Sequence, residues 1–230
     1  MQCVILCAGK GTRMRPLTSN CPKPLIPVCG KPILEHIVRS LPEVIDELVL
    51  IVGYLKEQII ALCGDEYLGK RVVYCEQENF AGGTGDALIC ARTVLHDKFL
   101  FMYGDDIHGG ETLKKAILNE HAILGTHSST PERYGVLVPN TDGTLKEILE
   151  KPKNPPSNLI NIGGFVITES VFDYAVPISD SGELYVTDMI TAYAQDNPVQ
   201  ILEQDVWIPI GYPDDIERAE RILSEKGLTG

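Results

Sequence analysis

The chain has little of several features that would place it in a particular class of protein. Lys and Arg number 20 against 32 Asp and Glu, which gives a net charge of −12. A nucleic-acid binder usually has a basic surface, so we expect no nucleic-acid partner. The same charge argues against binding to anionic membranes. No apolar run is long enough to cross a bilayer, so we predict no membrane span.

The chain also lacks the cysteine spacing of a metal site. All seven cysteines precede residue 91, and none forms a Cys-x-x-Cys pair. Neither a zinc site nor a disulfide framework is therefore expected. The N-terminal MQCVILCAG has no basic residues and is predicted to be a strand rather than a secretion signal. A cytoplasmic protein in a reducing compartment fits these observations.

What the first half does have is an alternation of strand-like and helix-like stretches. Apolar strands are predicted over residues 2–7, 46–53, 70–77 and 98–104. Helices are predicted between them over residues 31–41, 55–64 and 84–95, the last one capped by Thr84. This rhythm predicts an α/β fold, with a Rossmann-like doubly wound, mostly parallel mixed sheet and helices on both faces. At 230 residues, one domain over residues 1–230 is expected.

The second half has a looser pattern. A hairpin is predicted over residues 134–151, with its turn near Asp142–Gly143, followed by a proline-rich loop over 151–158. A strand over 160–168, a helix over 182–196, a short strand over 206–210 and a helix over 214–226 complete the prediction. The segment between residues 105 and 134 has no clear assignment.

Three glycine-bearing loops follow strands, and they suggest a nucleotide site. The first, CAGKGTRMRP (7–16), is not a Walker loop, because Gly11 follows Lys10 where Ser or Thr would be required. It is not a dinucleotide fingerprint either, because Met14 stands at the third glycine position. The other loops are EQENFAGGTG and MYGDDI. Ligands collect at the carboxyl ends of strands in a doubly wound sheet, so the three loops should meet there.

The segment LCAGKGTRMRPLTSNCPKPLIPVCGKPILEH resembles the signature of the sugar-1-phosphate nucleotidyltransferases. Later pieces agree in order, among them GGTGDAL, YGDD, EKP, NIGG and GELYVTD. The resemblance covers nearly the whole chain. It is strongest to uridylyl- and thymidylyl-transferring members and to the pyrophosphorylase half of N-acetylglucosamine-1-phosphate uridylyltransferases. It implies a nucleotide-binding part over residues 1–110 and a sugar-binding part over 111–230.

The resemblance implies that an oxygen of a sugar-1-phosphate attacks the α-phosphorus of a nucleoside triphosphate and releases pyrophosphate. Such transfers depend on positioning and charge neutralisation. Arg13 is the implied grip on the leaving pyrophosphate, and Lys23 the cation for the sugar phosphate and α-phosphate. Asp105 is the implied ligand of Mg²⁺, a cation that prefers carboxylate and phosphate oxygens. These three are the predicted catalytic residues.

The nucleotide contacts are predicted in two loops. Gly9 and Gly11 would let the backbone approach the phosphates. Gln77 is the candidate reader of the base, because a side-chain amide offers both a donor and an acceptor to uracil or thymine. One extra residue in its loop leaves Gly82 and Gly83 as alternatives for the backbone contact. The other residues assigned to the nucleotide are Leu6, Ala8, Lys10, Thr12, Arg13 and Thr84.

The sugar contacts are predicted in the second half and at the end of the fourth strand. Glu150 would accept hydrogen bonds from sugar hydroxyls, and Asn161 would offer both a donor and an acceptor. Lys151 would touch the sugar phosphate. The other residues assigned to the sugar are Tyr103, Gly104, Gly135 and Gly163, with Glu183 and Thr187 as weaker candidates.

One position departs from the family pattern. Many members have Trp-x-Asp-x-Gly near the end, where the Asp is a second metal carboxylate, whereas this chain has Pro209 there. Asp205 and Asp214 are nearby candidates for compensation. The departure leaves open a catalytically weak homologue that senses nucleotide sugars. Also open are UTP against dTTP or CTP, glucose-1-phosphate against N-acetylglucosamine-1-phosphate, and a homo-oligomer against a monomer.

Overall fold

The computed structural model describes residues 1–179, 182–204 and 206–228. The strands are β1 (Gln2–Leu6), β2 (Pro27–Val28), β3 (Lys31–Pro32), β4 (Glu47–Val52), β5 (Glu66–Tyr67), β6 (Lys70–Glu76), β7 (Lys98–Tyr103), β8 (Asp106–His108), β9 (Ala122–His127), β10 (Gly135–Pro139), β11 (Leu145–Glu150), β12 (Leu159–Thr168), β13 (Gln200–Glu203) and β14 (Trp207–Pro209). The helices are α1 (Ile33–Ser40), α2 (Lys56–Cys63), α3 (Gly83–Ile89), α4 (Gly110–Ala116), α5 (Val186–Tyr193) and α6 (Asp214–Glu225).

The main sheet is parallel at its centre and antiparallel beyond it. Strands β6, β4, β1 and β7 lie side by side and all pairs among them are parallel. Strand β12 then pairs antiparallel with β7, β9 and β10, and β11 continues from β10 as an antiparallel hairpin. The predicted α/β fold with a mixed, doubly wound sheet is confirmed. One sheet runs through both halves of the chain.

Hydrophobic cores form on both faces of the sheet because the strand residues alternate in direction. In β1, Cys3 and Ile5 pack with one core while Val4 packs with the other. Helices α1, α2, α4 and α6 contribute to the first core, and α3 and α5 to the second. The central strands are buried along nearly their whole length, which explains why they are continuously apolar rather than alternating.

Several sequence predictions need correction. Thr84 does not cap α3, because the helix begins at Gly83 and the Thr84 hydroxyl instead accepts a hydrogen bond from the Val186 N–H, 3.0 Å away. The helix predicted from residue 182 begins only at Val186. The unassigned segment after residue 105 forms β8, α4 and β9, and the sequence also gave no prediction for β13. Within the described residues, none of the helices is long and apolar enough to span a membrane.

Candidate active site

The strand order brings the predicted loops to one edge of the sheet. Leu6 ends β1 directly beside Tyr103, which ends β7. The chain turns sharply after Tyr103, and the Gly104 N–H donates to the Leu6 carbonyl at 3.0 Å. A Cβ on Gly104 would lie 2.3 Å from that carbonyl oxygen, so a side chain would break this close approach. The first glycine loop and the YGDD turn are therefore held against each other.

The first glycine loop has two glycines of different character. Gly11 has φ of +57°, and a Cβ there would lie 3.2 Å from the Lys23 Cβ, so it is required for conformation and for packing against Lys23. Gly9 is exposed, has no positive φ, and a Cβ there would meet nothing within 4 Å. The fold thus gives no reason for a glycine at position 9. Thr12, between Gly11 and Arg13, begins a short 3-10 helix.

Lys23 and Asp105 form an ion pair at the centre of the site. The Lys23 Nζ donates to the Asp105 Oδ2 at 2.5 Å. The lysine side chain is only 10% exposed, whereas the Asp105 side chain is 36% exposed. A buried lysine keeps its charge at low cost only beside a carboxylate. The more exposed member of the pair is the carboxylate, which an approaching cation could reach.

Arg13 lies on the other side of the loop, against Tyr212. Its guanidinium carbon is 5.3 Å from the centre of the Tyr212 ring. Arg13, and then Arg133, lower the pKa of the Tyr212 hydroxyl by hydrogen bonding and by charge. Lys10 is exposed with its ammonium 5.2 Å from the centre of the Phe80 ring. The structure thus adds Arg133 and Tyr212, which the sequence did not single out, to the cationic side of the site.

Gln77 lies at the end of β6, where the second glycine loop begins. It is 6% exposed, and its Nε2 donates to the Gly83 carbonyl at 3.0 Å and to the Asp86 Oδ2 at 2.9 Å. Gly83 has φ of +84°, and a Cβ there would lie 2.5 Å from the Leu184 carbonyl oxygen. The Leu184 N–H donates to the Gly82 carbonyl at 2.8 Å. The second glycine loop is therefore tied to the segment that precedes α5.

The predicted sugar residues also come together. Gly135 and Glu150 are directly opposite each other in the β10–β11 hairpin. A Cβ on Gly135 would lie 3.3 Å from the Glu150 Oε2 and 3.7 Å from the Asn161 Cβ. The Asn161 Oδ1 accepts from the Gly163 N–H at 3.0 Å. The exposed Lys151 pairs with Glu150 at 3.1 Å. The hairpin and β12 thus place this set on one patch.

Tyr103 lies between the Asp105 turn and the predicted sugar residues. Gly163, with φ of +77°, lies under its ring, since a Cβ there would be 2.0 Å from the Tyr103 Cδ2. Burial raises the pKa of the Tyr103 hydroxyl, and the Glu150, Asp106 and Asp105 carboxylates raise it further. The Thr84 hydroxyl is hydrogen-bonded to it and acts in the opposite direction. The tyrosine thus lies between the Asp105 turn and Glu150.

Pro209 lies beside the Asp105 turn, as the family pattern would place it. It is the register partner of Asp106 in the β8–β14 pair, and the next residue, Ile210, donates its N–H to the Asp105 carbonyl at 3.1 Å. Burial, and then the Asp105 charge, raise the pKa of the Asp106 carboxyl. Asp214 begins α6, whereas Asp205 lies outside the described residues.

The donor set fits a magnesium ion shared with substrate. Mg²⁺ is usually bound by one or two carboxylates together with phosphates and waters. The partly exposed Asp105 carboxylate suits this arrangement. Among the described residues, no group of three or more His, Cys, Asp or Glu side chains forms a metal site of its own. A cation here would depend on phosphate oxygens to complete its coordination.

The two weaker candidates, Glu183 and Thr187, lie just before α5 and in its first turn, and a Cβ on Gly83 would be 3.0 Å from the Glu183 Cβ. Thr187 is buried in the first turn of α5, and its hydroxyl is one of the buried polar atoms without a hydrogen-bond partner among the described residues. Asp188, which follows it, has its carboxyl pKa raised by burial and then by the Glu150 charge. Asp188 is not among the residues that the motifs point to.

Comparison with known proteins finds similarity over nearly the whole chain. The family model described as nucleotidyl transferase matches residues 2–226. The chain is 37% identical over 238 residues to the UTP–glucose-1-phosphate uridylyltransferase AglF of Haloferax volcanii, covering 98% of both chains. It is 36% identical over 229 residues to the bifunctional protein GlmU of Methanocaldococcus jannaschii, covering 98% of this chain and 55% of that protein.

The structure agrees with a solved one as well. A crystal structure from Bacillus anthracis, of a protein described as a glucose-1-phosphate thymidylyltransferase in complex with a sucrose, superposes with a TM-score of 0.87. It is 27% identical and covers 96% of this chain and 94% of that one. The chain thus spans nearly the full length of this structure and of AglF, but about half the length of the GlmU relatives.

Proposed function

Because the chain belongs to the nucleotidyl transferase family, we propose that it transfers a nucleotidyl group from a nucleoside triphosphate to a sugar-1-phosphate. The products are a nucleoside diphosphate sugar and pyrophosphate. The observation that carries the proposal is the Lys23–Asp105 pair, which lies between a glycine loop bearing Arg13 and a patch bearing Glu150 and Asn161. The buried cation would neutralise charge on the two phosphates, and the partly exposed carboxylate beside it would bind a metal ion.

The reaction needs the two anionic substrates to approach each other. In the proposed arrangement the phosphate oxygen of the sugar-1-phosphate attacks the α-phosphorus, a new P–O bond forms, and the bond to the β-phosphate oxygen breaks. The departing pyrophosphate carries away the electron pair. Lys23 would hold the sugar phosphate and α-phosphate together, and Arg13 would hold the pyrophosphate through its planar guanidinium. No proton has to be moved by the protein in this step.

A bound Mg²⁺ would neutralise part of the charge that develops on the phosphates. Asp105 is the residue we propose to hold it. Lys23 is already bonded to this carboxylate at 2.5 Å. One contact therefore positions both the lysine and the metal ligand before substrate arrives, which reduces the cost of ordering them in the reaction.

The substrates we propose are UTP or dTTP and glucose-1-phosphate or N-acetylglucosamine-1-phosphate. Gln77, Gly82, Gly83 and Thr84 would hold the base. Glu150, Asn161 and Lys151 would hold the sugar hydroxyls and phosphate. The similarity to AglF, which is named a UTP–glucose-1-phosphate uridylyltransferase, supports the UTP and glucose-1-phosphate pair. A nucleotide-binding part over residues 1–110 and a sugar-binding part over 111–230 remain part of this proposal.

One observation favours a second candidate. Pro209 stands opposite Asp106 at the position of the second metal carboxylate in many relatives, and proline has no side-chain oxygen. A weakened metal site would suit a protein that binds nucleotide sugars as a sensor. The presence of Arg13 and Lys23 together with Asp105 argues against a sensor, because a protein that only binds nucleotide sugars does not need all three.

A pyrophosphate-release assay decides between the two. Each of UTP, dTTP, CTP, ATP and GTP is incubated with Mg²⁺ and with glucose-1-phosphate or N-acetylglucosamine-1-phosphate, and the nucleotide sugar is identified by mass spectrometry. The transferase proposal requires pyrophosphate release that depends on both substrates and equals the nucleotide sugar formed. Tight nucleotide binding without release from any pair would favour the sensor instead.

A further inference from the structure

We propose that Asp86 is a positioning residue that sets base selectivity by holding the Gln77 amide with only its oxygen available to the nucleotide. This inference rests on the proposed function and makes the nucleotide class more specific. It predicts preference for uracil and thymine over cytosine. Asp86 is the first-turn acidic residue of α3 and was not among the residues that the sequence singled out.

The orientation of the Gln77 amide follows from its neighbours. Its terminal nitrogen lies 3.0 Å from the Gly83 carbonyl oxygen and 2.9 Å from the Asp86 Oδ2. A carbonyl oxygen and an ionised carboxylate accept hydrogen bonds and donate none. The amide atom that faces both of them must therefore be the NH₂ group, since an oxygen there would face two other oxygens.

The two contacts use all the donors of the amide. An amide NH₂ has two hydrogens, and Gly83 and Asp86 take one each. Only the Gln77 Oε1, an acceptor, is left to meet a ligand. Gln77 is 6% exposed, so its amide is not free to turn in solvent. The side chain that the sequence suggested as both donor and acceptor is thus reduced to an acceptor.

An acceptor at this place distinguishes the pyrimidines. Uracil and thymine carry a hydrogen on N3, which can donate to the Gln77 Oε1. Cytosine has a bare N3 with a lone pair, which would face that oxygen without a hydrogen between them. A buried acceptor left without a donor is costly, and the cost is what makes polar pockets selective. The amide could accommodate cytosine by turning over, and the Asp86 carboxylate opposes that turn.

The backbone supports this role for Asp86. A Cβ on Gly82 would lie 2.4 Å from the Asp86 Oδ2 and 2.5 Å from its Cγ. The carboxylate therefore lies directly over the Gly82 Cα, and only a glycine leaves it room. Gly82 has φ of −72°, which any residue can adopt, so the need for glycine here comes from the Asp86 side chain.

The test is direct nucleotide binding without sugar phosphate, measured by isothermal titration calorimetry with UTP, dTTP and CTP in the presence of Mg²⁺. The parent protein should bind UTP and dTTP about 10- to 100-fold more tightly than CTP. Asp86→Asn keeps the shape of the side chain but can present a donor to Gln77, so only the Gly83 carbonyl still opposes a turn of the amide. We expect the UTP-over-CTP ratio to fall at least about fivefold, with CTP gaining affinity while UTP loses it.

A second variant and a control keep the result interpretable. Gly82→Ala displaces the Asp86 carboxylate without removing its charge and should lower the same ratio. Asp65→Asn, at an exposed turn after α2, should leave the ratio unchanged. Thermal melts confirm that each variant is folded, and Gly82→Ala provides the ratio if Asp86→Asn does not fold.

The proposal is overturned if the parent binds CTP as tightly as UTP. It is equally overturned if Asp86→Asn weakens all three nucleotides by one common factor, since that is the effect of a purely structural role. Because no sugar phosphate is present, selective binding by a protein that releases no pyrophosphate would defeat the transferase proposal alone. Turnover without any preference among the pyrimidines would defeat the role of Asp86 alone.

Discussion

The proposed nucleotide side and the proposed sugar side of the site are built in different ways. The nucleotide side consists of the loops over residues 7–13 and 77–84, which follow parallel strands. The sugar side consists of Gly135, Glu150, Asn161 and Gly163, which lie on antiparallel strands. On the first side, backbone groups and cations dominate. On the second, the directional groups are side chains that meet only because β10, β11 and β12 pair in the observed register.

Because of this difference, substitutions on the two sides should have different effects on binding and on folding. Loops that follow buried strands keep their conformation through local glycines and backbone hydrogen bonds, so substitutions away from those conformation-setting glycines should affect binding more than folding. Residues on paired strands are also part of the packed sheet, so their substitutions can affect both. The Lys23–Asp105 pair stands between the two sides and should affect neither binding event as strongly as the transfer itself.

Lys23→Ala should have the largest effect on activity. Loss of a buried cation that stabilises the charge of the transition state costs about 10²- to 10³-fold in turnover, and we expect kcat to fall by that order. The measurement is steady-state pyrophosphate release. Lys10→Ala is the matched control: Lys10 is an exposed lysine against Phe80, and its loss should cost less than about tenfold.

A near-normal turnover of Lys23→Ala would contradict the role assigned to this residue. Circular dichroism must show that the variant is folded, since removal of the lysine leaves Asp105 without its partner. The half exposure of the Asp105 side chain means that water can solvate the carboxylate, so the fold should persist.

Gly163→Ala should damage the sugar side through the fold. Its φ of +77° disfavours a side chain, and the new Cβ would lie 2.0 Å from the Tyr103 ring. Strain and overpacking of this kind should destabilise the protein by about 3 kcal/mol, measured by denaturant unfolding. Gly9→Ala is the contrasting variant, since a Cβ there meets nothing. It should leave the free energy of unfolding unchanged and weaken UTP binding, and a loss of stability equal to that of Gly163→Ala would erase the distinction.

Glu150→Gln should act on the sugar side alone. A hydrogen bond to a charged acceptor contributes about 1.5–3 kcal/mol, so we expect KM for the sugar phosphate to rise by roughly tenfold to a hundredfold. KM for UTP should stay within about twofold, because Glu150 lies beside Gly135 and Asn161, which are assigned to the sugar. Equal changes in KM for UTP and KM for the sugar phosphate would show that Glu150 supports the structure of the whole site rather than sugar binding alone.

The effect that is confined to acid pH should come from His108, through stability rather than activity. Burial lowers the pKa of His108 to about 4, against 6.5 in the unfolded chain, and Asp105 acts weakly in the opposite direction. Below pH 6.5 the unfolded chain takes up a proton that the folded one does not, so stability should fall between pH 6.5 and about 4 by up to roughly 3 kcal/mol. His108→Gln should remove that part of the slope in denaturant titrations. A slope identical to the parent's would contradict the assignment.

The sequence was most informative where the structure is local. The strands β1, β4, β6 and β7 are continuous apolar runs because both faces are covered, and the glycine loops follow directly from them. Strands β9 and β13 were missed because AILGTH and QILE are short and only partly apolar. They are strands because β9 pairs with β12 and β13 pairs with β9, which are contacts between distant parts of the chain.

The dependence on contacts between distant segments also limits how much of the site could be predicted from the sequence. The Lys23, Arg13 and Asp105 positions could be predicted because their motifs have fixed spacing. The contact of Arg13 with Tyr212 and the effect of the Glu150 charge on the Asp188 pKa join segments far apart in sequence and leave no local pattern. Asp86 is close to Gln77 in sequence, but its role depends on how the loop folds back over Gly82.

The central claim is that the two sides meet at Lys23 and Asp105, where the nucleotidyl group is transferred. A crystal structure with a non-hydrolysable UTP analogue and Mn²⁺, with the metal placed by its anomalous signal, tests this most directly. The account predicts the base at Gln77, the metal between the Asp105 carboxylate and the phosphates, and the Lys23 ammonium on the α-phosphate. A triphosphate bound away from residues 7–13, or a metal remote from Asp105, would contradict it.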